Sequence, residues 1–422
     1  MTQLVHRCKG SRDLLPDAML KLRQLEQTFK SCCVDWGYRE IRTPTLEYLH
    51  LFTSIGTLTP SMLSRVYSFL DWDGWSGERV VLRPEATIPA VRLYVQNLMS
   101  QSLVKLFYSE NIFSFEETGK ESRERRQCGV ELIGSDKPAA DAELILLALE
   151  ILRKLGLDAV ELHLSHAGLL RALLQESGLT IAEQNNTLDQ VLNGDMQVLE
   201  QIIGANPKLK DSIQLLFQSS GKTPGFLRNL RATLVPVVPS VEASLNNFIC
   251  IAEKLQVAEP DYHFDITSGK GFEYYTGIIV QFCYDGQKLG GGGRYNDLVP
   301  LLGGGDIPAS GFALYVDELM DLLPTETAAK IDVNKILVTA EGDDEWEMSV
   351  RTANSLREVG YIADLDAGYR GLADHGWRLR IKQKGTASTF VLENLAERKK
   401  SKASSSEEVF EILRKTNENR ST

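Results

Sequence analysis

Four short segments of this chain gather residue types that can do chemistry. The first is Leu82-Arg83-Pro84-Glu85-Ala86-Thr87. It sets a carboxylate and a hydroxyl two residues apart, directly after the β-type run Val80-Val81-Leu82. Strand side chains alternate with period two, so Glu85 and Thr87 can address one pocket. A carboxylate there can hold an ammonium group through a charge-assisted hydrogen bond. The plainer reading is a surface loop with a helix cap, because Thr87 precedes an apolar run. The second segment is Gln127-Cys128-Gly129-Val130-Glu131. Gln127, Gly129 and Glu131 fall on one face of a strand, Cys128 and Val130 on the other. Polar side chains facing inward on a strand are costly unless paired, which points to a ligand-facing surface; a solvated polar face is the alternative. The third is Phe272-Glu273-Tyr274-Tyr275-Thr276-Gly277. Neighbouring tyrosines on a β segment face opposite ways, so one of the two would line a given pocket. The fourth is Gly290 to Gly293 followed by Arg294-Tyr295. It reads as a glycine-rich turn whose backbone can approach a ligand closely.

Other chemistries are disfavoured. No GxxxxGK[ST] occurs and no GxGxxG opens a helix, so neither a P-loop nor a Rossmann site is predicted. His163 and His166 stand three residues apart without a cysteine or acid at metal-like spacing, and are read as structural. No metal and no cofactor is expected. The six cysteines (Cys8, Cys32, Cys33, Cys128, Cys250, Cys283) are scattered, as expected for free thiols in a reducing compartment. A net charge of −11 carries no global footprint for nucleic acid. Arg123, Arg125 and Arg126 fall in a polar loop and are read as solvated. Arg398 to Lys402 is basic, but residues 331–422 are roughly balanced in charge, so tRNA is not expected as a partner. Met1 is followed by polar and charged residues, which predicts no secretory leader. Apolar runs such as Leu144 to Leu152 are too short to span a bilayer. The expected location is cytoplasmic.

The positioning elements follow from periodicity. Residues 17–36 read as an amphipathic helix, with Leu20, Leu22, Leu25, Phe29 and Cys32/Cys33 recurring at helical spacing. Strands are predicted at 38–45, ending near Pro44, and at 103–109 and 129–134. The last two form a hairpin around a polar loop at 116–126. Residues 141–155 read as an apolar helix, and 167–258 as a mostly helical insertion. Strands return at 263–266 and 277–284. Residues 321–334 read as a linker. From Lys335 onward strands and helices alternate in a small α/β domain: strands at 336–338, 361–363, 378–382 and 389–392, helices at 345–359 and 407–415.

Taken in order, these segments resemble the class II histidyl-tRNA synthetase family. The matches run from Lys9-Gly10-Ser11-Arg12-Asp13-Leu14-Leu15-Pro16 through Leu82 to Glu85, Phe107-Tyr108-Ser109, Gln127 to Gly134, Tyr274 to Gly277, Gly291 to Leu298 and Gly311-Phe312-Ala313. They cover about residues 1–320. The resemblance implies an α+β fold: a class II synthetase-like antiparallel sheet of six or seven strands flanked by helices. It further implies the helical insertion, a dimer through the first motif, and a C-terminal α/β domain (335–422) of the anticodon-binding kind. It also implies that Glu85, Thr87, Gln127, Glu131 and Tyr275, with Tyr274 beside them, hold histidine.

The departures are confined to the nucleotide side. Adenylation builds charge at the ATP α-phosphate and needs fixed cations there. Where the family places three arginines, this chain has Ser114, Lys270 and Glu318. Lysine lacks the guanidinium fork, serine has no charge, and glutamate has the opposite one. The pattern resembles the non-catalytic branch of the family, whose members regulate ATP phosphoribosyltransferase at the first step of histidine biosynthesis. That resemblance implies a non-enzyme with lost aminoacylation activity. It also implies L-histidine as feedback effector and a homodimer joined to a short catalytic subunit in a hetero-oligomer. The alternatives are a divergent histidyl-tRNA synthetase and a synthetase-like RNA- or protein-binding module. Arg126 stands where the family tends to have a histidine, and Glu273 replaces an aspartate, which leaves the ligand open at this stage.

Overall fold

The computed structural model describes the chain apart from residues 1–5, 55–62, 72–76, 117, 119–121, 181–182, 185–186, 188–189, 191–196, 199–209, 219, 259–260, 265–274, 325–331, 341, 343–344, 367–374, 385–386 and 419–422. Lys270, Glu273 and Tyr274 therefore lie outside the described residues. The chain divides into two compact units, Met1–Thr325 and Glu326–Thr422.

The first unit opens with α1 (Pro16–Asp35). Proline suits the first helical turn because its missing N–H has no partner to lose there. Gly37, with φ +81°, follows the helix end, where a side chain would be strained. Then come β1 (Arg39–Glu40), β2 (Leu46–Tyr48), α2 (Leu49–Thr53), β3 (Ser68–Leu70), β4 (Arg79–Leu82), α3 (Thr87–Asn97), β5 (Val104–Phe113), β6 (Glu124–Ile133) and α4 (Pro138–Lys154). β7 (Glu161–His166) leads into α5 (Ala167–Gln175), α6 (Lys210–Gln218), α7 (Pro224–Leu234) and α8 (Glu242–Leu255), so the expected helical insertion is helical where it is described. β8 (Asp261–Phe264), β9 (Ile278–Tyr284), β10 (Gln287–Arg294), α9 (Leu298–Leu301), β11 (Ala309–Tyr315) and α10 (Val316–Leu322) complete the unit.

Eight strands form the main sheet, in the order β1-β5-β6-β11-β10-β9-β7-β8. The six inner strands are antiparallel, while β1 and β8 add in parallel at the edges. One face carries the main core, with Phe107, Cys128, Val130, Phe312 and Phe282 against Leu25 and Phe29 of α1 and Leu144, Leu147 and Leu152 of α4. The other face carries a smaller core in which Leu106, Ile133, Ile279 and Tyr295 meet Ile88 and Val91 of α3. A second sheet, β2-β4-β3, sits in the same unit.

Several expectations need correction. Of the strand expected at 38–45, only Arg39–Glu40 pairs with β5; the next paired residues begin at Leu46. Gly290 to Gly293 is no turn. It is the middle of β10, and the turn is Asp285-Gly286, with φ +48° and +75°, the backbone signs of a type I′ hairpin. The glycines serve close packing: a Cβ at Gly292 would lie 2.2 Å from the carbonyl oxygen of Gly311. The 103–134 hairpin is longer than expected, so Arg125 and Arg126 are strand residues rather than loop residues. His163 and His166 belong to a strand, β7, that the helical spacing of three obscured, and they lie on opposite faces.

In the second unit, β12 (Asp332–Ala340), α11 (Trp346–Glu358), β13 (Ile362–Leu365), β14 (His375–Lys384), β15 (Ala387–Asn394), β16 (Lys399–Ala403) and α12 (Ser406–Glu418) build a five-stranded sheet ordered β13-β12-β14-β15-β16. The basic run at 398–402 turns out to be largely strand β16. Helix α10 runs to Leu322 and β12 starts at Asp332, so the interval between elements is shorter than 321–334. Among the described residues no helix is long and apolar enough to cross a membrane.

Candidate functional site

The site is built on β6 and its neighbours. Cys128 and Val130 face the main core, as their period predicts, and Gln127, Gly129 and Glu131 face the other way. The β5–β6 register sets Tyr108 opposite Gly129 and the β6–β11 register sets Gly311 opposite Glu131. These glycines make room. A Cβ on Gly129 would lie 2.2 Å from the Tyr108 ring, one on Gly311 1.9 Å from Glu131 Oε2, and one on Gly293 2.8 Å from the Tyr275 ring. None of these gaps admits a methyl group.

Glu131 is the centre, at 1% exposure. The Tyr108 hydroxyl donates to its Oε1 at 3.0 Å and the Tyr295 hydroxyl donates to its Oε2. The Thr87 hydroxyl lies 3.3 Å from the Tyr108 hydroxyl, and Tyr275 packs against Tyr295 with ring centroids 6.3 Å apart. Burial pushes the Glu131 carboxyl up to about 8, against the opposing pull of the hydroxyl hydrogen bonds. Among the described residues neither Glu131 nor Glu85 has a lysine or arginine ion-pair partner. Two carboxylates enclosed this way create demand for a cation.

Glu85 bears out the helix-cap reading of this segment: its Oε2 accepts from Thr87 N at 2.8 Å and its Oε1 from Ile88 N at 2.9 Å, so it caps α3. Burial raises its carboxyl to about 7, while the two backbone donors pull it down. Gln127 is 7% exposed, and its Oε1 has no hydrogen-bond partner. Arg83 is held by Glu110, Thr43 and Asn111, which fixes the chain just before Glu85.

Sequence reasoning missed one contributor: Tyr108 was noted only within a strand and a family match, because its place opposite Gly129 depends on register. Arg294, next to the glycine run, donates to Asp141 through Nε at 3.1 Å and through Nη2 at 2.9 Å, a buried pair that ties β10 to α4. Arg126 points away from the site: Nε donates to Ser109 at 3.0 Å and Nη2 meets Glu26 at 2.6 Å.

Of the three positions where the resemblance implies cations, Ser114 and Glu318 are described. Ser114 donates its backbone N–H to Arg123 O at 3.0 Å. Arg123 is engaged with the Glu116 carbonyl and lies over the Phe115 ring at 4.8 Å. Glu318 stands in the first turn of α10, half-buried, with Oε2 shielded and without a hydrogen-bond partner. Burial raises its carboxyl, Asp317 adds to that, and Arg125 opposes it. All six cysteines are free thiols. Among the described residues no group of three or more His, Cys, Asp or Glu is gathered to hold a metal.

A buried acid-and-hydroxyl pocket on the glycine-lined face of an antiparallel sheet is the architecture of a class II synthetase. The comparisons agree. Residues 10–319 match the family model described as Histidyl-tRNA synthetase. A solved structure from Bacillus halodurans, described as an ATP phosphoribosyltransferase regulatory subunit/histidyl-tRNA synthetase, shares the fold with a TM-score of 0.72 at 22% identity, over 88% of this chain and 96% of that one. The chain belongs to the histidyl-tRNA synthetase family. Within it, a protein named ATP phosphoribosyltransferase regulatory subunit from Dehalococcoides mccartyi strain 195 is 45% identical over 97% of this chain and 98% of its own length. That match takes in most of the C-terminal unit too. A histidine–tRNA ligase from Methanosarcina acetivorans is 32% identical over 84% of this chain and 83% of its own length.

Proposed function

We propose that this chain is a non-catalytic regulatory subunit of ATP phosphoribosyltransferase, acting at the first step of histidine biosynthesis. L-Histidine is its effector, bound by Glu85, Thr87, Gln127, Glu131, Tyr275 and Tyr274, and a short catalytic subunit is its partner. One observation carries the reading. The described residues around Glu131 keep acids and hydroxyls suited to an ammonium, while Glu318, a half-buried carboxylate, stands where the family resemblance implies a cation for a triphosphate. A like charge near a partly desolvated phosphate costs several kcal/mol. Histidine feedback is then a coupling free energy between this pocket and the partner's active site.

The assembly in this reading is a homodimer within a hetero-oligomer. The exposed apolar residues Leu46, Tyr48 and Phe69 on the small sheet support a protein contact there. The C-terminal unit is read as an anticodon-binding-like domain that no longer serves tRNA. Calorimetry tests the core of the proposal. Saturable histidine binding is expected without ATP binding, and the short catalytic subunit should co-purify. Histidine-dependent pyrophosphate exchange with ATP would overturn it in favour of a divergent synthetase.

A further inference from the structure

Strand β15 runs between β14 and β16 and is antiparallel to both. Side chains along each strand alternate between the two faces of the sheet. On one face Trp377, Leu379, Ile381 and Leu392 pack against Leu356 of α11 and Leu413 of α12. Both described helices of this unit are therefore used on that side. The intervening positions turn the other way, and the register aligns them in rows. Arg378, Glu393 and Lys400 make one row, Arg380, Val391 and Lys402 the next, and Lys382 stands beside Thr389 in a third. The result is two rails of cations, on β14 and β16, with β15 between them. Strands lie about 4.8 Å apart, so the rails are separated by about 10 Å, and cations along a rail repeat at about 6.7 Å.

Five cations thus stand around one acid, in a unit whose total charge is roughly balanced. Arg380 and Lys400 approach Glu393 at 3.7 and 3.5 Å, and their side chains are 38% and 58% exposed. Lys382 and Lys402 are exposed too. One carboxylate cannot neutralise five cations, so the face keeps a strong positive excess. Its midline, at Val391 and Thr389, is neutral. Carboxylates on alternate residues of an extended peptide repeat at the same interval as the cations of a rail.

Two features favour an acidic protein over nucleic acid. Single-stranded nucleic acid is held by stacking its bases on aromatic side chains. Among the described residues this face has none, since Trp377 and Phe390 belong to the core. The net charge of −11 also repels a long polyanion more than a partner whose acids are local. A protein segment can set an apolar side chain against Val391 while its carboxylates meet the guanidinium forks of Arg378 and Arg380.

We infer that this face docks an acidic, extended segment of the short catalytic subunit, lying along β15 between the two rails; the inference rests on the partner proposed above. The test measures the Kd of the full chain for that subunit at about 50 and about 200 mM salt, with single-stranded RNA as a second probe. Arg380→Glu/Lys402→Glu should weaken the complex roughly tenfold or more at the lower salt and flatten its salt dependence. Glu393→Gln should tighten it about threefold, a direction that misfolding cannot mimic. Arg351→Glu, at an exposed position of α11, should leave the complex unchanged, and histidine binding should be the same in every variant. A wild-type complex indifferent to the charge reversal would overturn this contact alone, and so would RNA that binds this face more tightly than the subunit does. A wild type that binds no catalytic subunit would overturn the proposed function together with the contact.

Discussion

The Glu131 network makes ligand binding depend on pH in a way that can be worked out beforehand. A carboxyl raised to about 8 is about nine-tenths protonated at pH 7. Engaging an ammonium requires it to ionise, which costs on the order of 1 kcal/mol at pH 7 and less than half of that at pH 8. The difference is about fivefold in Kd. Glu85, raised to about 7, adds a factor of about two by the same reasoning. Histidine should therefore bind roughly tenfold tighter at pH 8 than at pH 7, with between one and two protons released per ligand at pH 7. The assay is calorimetry at both pH values, with each titration repeated in two buffers of different ionisation enthalpy. Glu131→Gln should weaken binding and remove most of the pH dependence. A flat Kd between pH 7 and 8, together with no buffer-dependent heat in the wild type, would refute the idea that a buried protonated carboxyl receives the ammonium.

The same carboxyl sets a stability trend in the unliganded protein. Its folded pKa lies above its unfolded value, so the penalty is absent below about pH 4.5 and grows as pH rises toward 8. The melting temperature should fall over that window, less steeply in Glu131→Gln. Gly311→Ala places a methyl 1.9 Å from Glu131 Oε2 and 2.5 Å from the Val130 carbonyl oxygen; it should cost about 1–3 kcal/mol by denaturant melt and abolish histidine binding by calorimetry. Breaking the buried Arg294–Asp141 pair with Arg294→Ala should cost about 3–5 kcal/mol, because Asp141 is left charged and dry; urea unfolding measures it. Ser114→Arg with Glu318→Arg should raise ATP affinity measurably without restoring aminoacylation, as read by nucleotide titration and a charging assay.

What could be read from the chain and what could not divides along a physical line. The alternation at residues 127–131 is local, so the polar face of β6 was legible before any coordinates. The helix cap was one of the two readings of the Glu85 segment, and the two backbone donors to Glu85 show that it is real. Register is not local. It decides that Tyr108 meets Gly129, that Gly311 clears space for Glu131, and that Arg294 finds Asp141, 153 positions away in the chain. The run at 290–293 misled because glycine usually marks a turn. Here it lets one strand lie flush against the next, a use that only the partner strand reveals.

Those glycines also bear on how the site can change. Gly129, Gly293 and Gly311 leave room that the Tyr108 ring, the Tyr275 ring and the Glu131 carboxyl already occupy. A side chain at any of the three therefore displaces one of the groups that make the network. A lineage can lose the arrangement in one step at three separate positions, none of which carries a functional group of its own.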